Sequence, residues 1–153
     1  MAWLAPMFLS ALSADAFVKI LIAIMLEKSV VFVSDNLPLL SSAILGMQCF
    51  LHPFQWSYVQ IPILPRSLVD MVEAPMPFLV GLLRSHISEV HSLSDRVRSS
   101  VHSSYNDVER LVVNINDVKK LVTIDDRGVD LPLPQFKGLV ERLVIPFSVL
   151  NSS

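Results

Sequence analysis

Four histidines, one cysteine and a few acidic pairs are the residues of this 153-residue chain best suited to chemistry. Their spacing argues against it. His86, His91 and His102 share one polar stretch, and His52 stands apart. Two metal ligands on one helical face want a spacing of about three or four residues, which His86 and His91 miss. Asp95 is the one nearby carboxylate with reach, so these histidines read as solvated and no metal site is expected. Cys49 can form neither an intrachain disulfide nor a cysteine-based metal site. Inside its apolar run it reads as a small buried hydrophobe. Asp125 and Asp126 read as a turn before Gly128. Glu27 and Lys28 read as a solvated helix end, or an ion pair where a strand begins.

Phosphate-binding chemistry is missing in the same way. Glycines at 46, 81, 128 and 138 build neither GxGxxG nor GxxxxGK[ST], and no GxSxG nucleophile turn exists. The sequence therefore offers no catalytic residues and implies no cofactor. Net charge is −2 with no basic cluster, which excludes sequence-independent nucleic-acid binding.

The elements that would position any site are legible. Hydrophobic residues make up 52% and charged residues 17%, more apolar than an ordinary soluble domain. The longest apolar run, Ala16 to Leu26, contains Lys19 and falls short of the ~20 residues of a membrane span. The opening "MAWLAPMFLSAL" lacks the basic start of a signal peptide. A cytosolic chain with a large apolar face covered by other segments is the better reading.

Ser13 to Lys28 reads as a buried helix with Ser13 as N-cap. "VVFVS" (30–34) is a β-branched run of the kind buried on both faces of a parallel sheet. Asn36 can cap a helix over 37–51, with Pro38 in its first turn. Its small residues Ser41, Ser42, Ala43 and Gly46 suit close approach to a sheet. "HPFQW" closes that helix. "SYVQIPIL" (57–64) reads as a strand, 67–72 as a short helix and "PFLVGLL" (77–83) as another strand. A polar insertion follows over about 86–106. "ERLVVNIND" and "KKLVTIDD" pair most simply as a hairpin, "RGVDLPLP" is a linker, and 136–150 is a last helix. The alternation predicts an α/β fold: a doubly wound, mainly parallel sheet with helices on both faces. Within it, Pro62, Pro65, Pro75 and Pro77 mark sharp corners with pinned backbone angles. Gly81 ends a strand or permits close backbone approach.

Four of these motifs, in order, carry a family resemblance. The helix into "EKSVVFVS", the "HPFQW" corner, the "IPILP" strand end and "EAPMPFLVG" together resemble the central part of the DENN domain, over about 10–83. "RLVVNIND" resembles the strand that follows. "VDLPLP" and the last helix resemble the start of the downstream DENN segment. The resemblance implies a central module over 1–128 and a linker with the first downstream helix over 129–153. It implies that an upstream longin-like lobe and further downstream helices complete the domain as partners of this chain. Pro53, Pro62, Pro65, Glu73, Pro75, Pro77 and Gly81 would be structural signature positions.

Members of that family typically act as guanine nucleotide exchange factors for Rab-type small GTPases. The resemblance thus implies a regulatory module without covalent chemistry, in a cytoplasmic protein recruited to endosomal, Golgi or vesicle membranes. Loops at one edge of the sheet would meet the GTPase. The candidates are Ser34, Asp35 and Asn36, then Phe54, Gln55 and Trp56, and Arg66. Each has a purely structural alternative: Asp35 and Asn36 as a helix cap, Trp56 as a packed corner aromatic, Arg66 as a solvated first-turn residue. A DENN-type scaffold that binds a GTPase without exchange is a second reading. A small-molecule α/β enzyme is a third, for which the sequence offers no acid–base site.

Overall fold

A computed structural model describes residues 12–88, 110–116, 121–125 and 131–132, together with Gly138 and Arg142. Helix α1 spans Ala14–Met25 and ends earlier than Lys28. The Ser13 side chain caps it by accepting from the Ala16 amide at 3.2 Å. Seven residues of α1 are buried, from Ala16 to Ile24, as an almost unbroken apolar run requires. Strand β1 (Ser29–Ser34) is buried at all six positions. Its β-branched side chains fill both sides of the pleat. Asn36 accepts from the Leu39 amide at 3.1 Å and starts α2, Leu37–Leu51.

Strand β2 is only Val59–Ile61, shorter than the expected 57–64, because Pro62 cannot donate to a ladder. The next segment, Arg66–Glu73, is a 3-10 helix broken at Leu68. Strand β3 is Phe78–Leu83, and a 3-10 turn covers Arg84–His86. β4 (Arg110–Asn116) and β5 (Leu121–Asp125) follow. The sheet order is β2-β3-β1-β4-β5. β1 pairs in parallel with β3 and with β4, and β3 with β2. β4 and β5 are antiparallel, Val113 opposite Ile124, which is the expected hairpin. The α/β class holds, with a mostly parallel sheet.

Alternation divides the core. Val30, Phe32, Leu79, Leu111 and Val113 face α1 and α2. Val31, Val33, Phe78, Val80 and Leu82 face Val69 and Val72 of the 3-10 segment. Among the described residues, one face therefore carries α1 and α2 and the other the short 3-10 segment. Most of the insertion at 86–106, the linker after Asp125 and the segment 136–150 lie outside the described residues, apart from 86–88, 131–132, and Gly138 and Arg142, the last two helical. The division at 128/129 lies there too.

Several local readings change. Cys49 is exposed, not buried. It falls in the last turn of α2, next to the exposed Gln48 and Phe50, so its helical position points it off the core. His86 is half-buried, and its Nδ1 is enclosed with no hydrogen-bond partner among the described residues, so it is not simply solvated. Gly46 is not a close-approach point, since a Cβ there would meet nothing within 4 Å. Gly81 is one: a Cβ would overlap the Pro62 carbonyl on one side and reach 3.3 Å from Leu40 Cβ on the other. The Leu64 amide donates to the Gly81 carbonyl at 2.7 Å, so the chain after Pro62 lies directly along β3. That is why the proline-rich stretch is both apolar and punctuated.

Two glycine substitutions should separate these roles. Gly81→Ala must displace backbone, costing about 1–3 kcal/mol and lowering the thermal midpoint by several degrees. Gly46→Ala, inside a helix with open space at its Cβ, should raise stability by about 0.5–1 kcal/mol. Thermal melts of the two variants beside the parent protein check the opposite signs.

Candidate functional site

The parallel arrangement gives the sheet two distinct ends. At the carboxyl end of β1, Ser34 is fully buried, and its Oγ accepts from the Asn36 amide at 3.1 Å. This bends the chain so that Asn36 can cap α2 while Asp35 stays exposed. Arg84, just past the carboxyl end of β3, donates from Nε to Asp35 Oδ2 at 3.0 Å. Another of its nitrogens donates to the Ile115 carbonyl at 3.2 Å. One guanidinium thus joins the carboxyl ends of β1, β3 and β4. Asp35 is 76% exposed at its side chain, so the pair adds little stability. Its effect is to fix where the carboxylate stands. Arg66 is exposed and opens the 3-10 segment on the chain leaving the carboxyl end of β2.

The "FQW" corner lies elsewhere. α2 runs the length of the sheet back toward its amino end, and the corner follows it, with a cis peptide bond at His52–Pro53. Trp56 is half-buried against the helix-side core. Its indole donates to the Val59 carbonyl at 3.2 Å, and it meets Tyr58 edge-on with ring centroids 5.4 Å apart. Phe54 and Gln55 are exposed. The expected single contact edge is therefore divided. Ser34, Asp35, Asn36 and Arg66 belong to the carboxyl side, and Phe54, Gln55 and Trp56 to the amino end. A six-residue strand separates them by about 20 Å.

The amino end also carries residues that motif reading missed. Glu27, Phe54, Trp56 and Tyr58 line a cavity of about 230 Å³ with Ile24, Met25 and Leu51 among its walls. The Tyr58 hydroxyl donates to Glu27 Oε2 at 2.9 Å. That bond, and then the negative charge itself, raises the phenol above its ordinary pKa of 10.0. The only hint in the sequence is an acidic residue where the helix ends.

Four of the signature positions, Pro62, Pro65, Glu73 and Gly81, make contacts within the fold. Pro65 caps the 3-10 segment, and Gly81 admits the Pro62 carbonyl. Glu73 receives two parallel hydrogen bonds from Arg110, at 3.0 and 3.2 Å. Both side chains are about four-fifths buried, at 20% and 19% exposure. This pair ties the proline-rich stretch to the first residue of β4, 37 residues later. Among the described residues, no group of three His, Cys, Asp or Glu side chains could hold a metal ion. No described helix is long and apolar enough to cross a membrane.

Comparison with known sequences bears on this arrangement directly. The family model for the DENN (AEX-3) domain matches residues 4–101. The chain is 34% identical to human DENN domain-containing protein 2B over 123 residues, covering 80% of this chain and 10% of that protein. It is 33% identical to mouse DENN domain-containing protein 2C over 139 residues, 91% of this chain and 14% of that protein. With human DENN domain-containing protein 1B it shares 30% identity over 131 residues, 78% of this chain and 17% of that protein. The chain thus spans a tenth to a sixth of the length of these relatives.

Two outcomes follow from the contacts. Glu73→Ala leaves the Arg110 guanidinium largely buried and unpaired, which should cost about 3–5 kcal/mol, read by denaturant unfolding. Glu27→Gln keeps an acceptor for the Tyr58 hydroxyl but removes the charge. The Tyr58 phenol should then ionise at lower pH, closer to its ordinary value, in a spectrophotometric titration. A raised phenol pKa favours the neutral ring. Its contribution to stability is complete below the ordinary pKa and is lost as pH rises through the folded one.

Proposed function

The chain belongs to the DENN domain family, and from that premise we propose that it is the central module of a guanine nucleotide exchange factor for a Rab-type small GTPase. The match over residues 4–101 carries this reading, because it takes in the whole of β1, α2, β2 and β3. In this proposal the module binds the GTPase more tightly when its nucleotide is absent. By linkage it then lowers nucleotide affinity in equal measure. GDP leaves and GTP enters, with no covalent step and no cofactor of the module's own. The protein would work in the cytoplasm, in membrane trafficking, brought to endosomal, Golgi or vesicle membranes through the rest of the polypeptide.

The carboxyl end of the sheet is the favoured contact. In open α/β sheets partners and ligands gather beyond the carboxyl ends of the strands. There Asp35 is exposed and held by Arg84. An anion positioned by a guanidinium that is itself anchored on the Ile115 carbonyl needs no reordering on binding, which favours affinity. Asn36 and Arg66 would flank it. A globular partner of about 150 residues is roughly 40 Å across. It can reach beyond this end to an upstream longin-like lobe. A non-exchanging scaffold would use the same surface and differ only in leaving GDP in place.

The test is mantGDP release from a panel of Rab GTPases. The 153 residues alone are compared with the same residues joined to the longin-like lobe. Acceleration on one or two Rabs by the joined form, and none by the 153 residues, is expected. Asp35→Ala in the joined form should weaken binding about tenfold while moving the thermal midpoint little. Binding without acceleration would favour the scaffold.

A further inference from the structure

The cavity at the amino end of the sheet combines features that local structure alone does not account for. α1 ends in a two-bond cap. The Lys28 amide donates to the Ala23 carbonyl at 2.9 Å and the Glu27 amide to the Ile24 carbonyl at 3.0 Å. The residue at the turning point of such a cap is left-handed and is usually glycine. Here it is Glu27, at φ 56°. A side chain in that conformation is strained. A carboxylate there also faces the negative end of the helix dipole, where a cation would be favoured. Two local rules therefore disfavour Glu27, and the pattern points from strain toward use.

What surrounds it suggests the use. Phe54, Trp56 and Tyr58 line the same cavity. Tyr58 holds one carboxylate oxygen at 2.9 Å, and among the described residues no cation pairs with Glu27. Phe54 is 68% exposed and Met25 53%, so the mouth is open and apolar. Aromatic faces beside a carboxylate attract a cation through both the ring quadrupoles and the charge. The apolar walls suit the aliphatic stem of a long side chain.

We propose that Glu27, Phe54, Trp56 and Tyr58 form a receptor for an arginine side chain, presented by a partner polypeptide with apolar residues on either side. The planar guanidinium stacks on the rings and donates to the Glu27 oxygen that Tyr58 leaves free, while flanking apolar residues cover Met25 and Phe54. This site is independent of the GTPase reading, since it lies at the opposite end of β1 from Asp35.

The experiment follows the Trp56 indole NMR signal of the full chain titrated with the peptide acetyl-Leu-Arg-Leu-amide. The control peptide carries citrulline, an uncharged isostere, in place of arginine. The arginine peptide should bind roughly tenfold more tightly than the citrulline one. Glu27→Gln should abolish that difference while the fold is retained. Glu27→Gly, which relieves the left-handed strain, should melt no lower than the parent and also lose the preference. Equal binding of the two peptides, or an undiminished preference in Glu27→Gln, would overturn the proposal. So would a Glu27→Gly protein of lower melting temperature, because Glu27 would then serve the fold.

Discussion

Everything in this molecule depends on the burial of one strand. β1 is enclosed on both faces and both edges, with Phe32 and Val30 at no measurable exposure. A strand in that position cannot slip in register, because a one-residue shift would exchange its two faces. It therefore fixes β3 on one side and β4 on the other. Its ends become fixed points in space. Ser34 and Asp35 leave from one, and Glu27 and Lys28 arrive at the other.

The proline-rich stretch serves the same constraint. β3 must lie beside β1, yet the chain reaches it only after crossing to the far face. The Pro62 carbonyl packs where Gly81 has no side chain. The 3-10 segment covers Val31 and Val33, and Glu73 then grips Arg110 at the start of β4. Removing the acid leaves a guanidinium in a site four-fifths dry, which is why so small a pair matters. The Asp35–Arg84 pair is its opposite. It is wet and contributes little to stability, and its effect is to fix where an exposed carboxylate stands.

Much of this was legible in the sequence because the signals are local. Ser13 and Asn36 sit where caps must sit, and the β-branched run of β1 admits no other reading. The hairpin of β4 and β5 follows from two strand patterns and a turn. The misses are the nonlocal facts. No spacing rule reveals that Glu73 meets Arg110 or that Arg84 meets Asp35. The left-handed turn at Glu27 was hidden because its residue is the wrong one for that turn. The seven candidate contact residues looked like one edge because each stands at or beside the end of an element, and spacing does not say which end of the sheet that is. Only the return path of α2 shows that Phe54 to Trp56 stand a strand's length from Asp35.

We propose that the carboxyl end of β1 is the GTPase contact and that the buried strand holds it in place. Backbone hydrogen exchange decides it, on the chain joined to the longin-like lobe, with and without the nucleotide-free Rab that responds in the release assay. Protection is expected at the Ser34–Asn36 turn and at Arg84, with the amides of Ser29 to Val33 unchanged. Protection centred on Phe54 to Tyr58, with none at the Ser34–Asn36 turn, would contradict it.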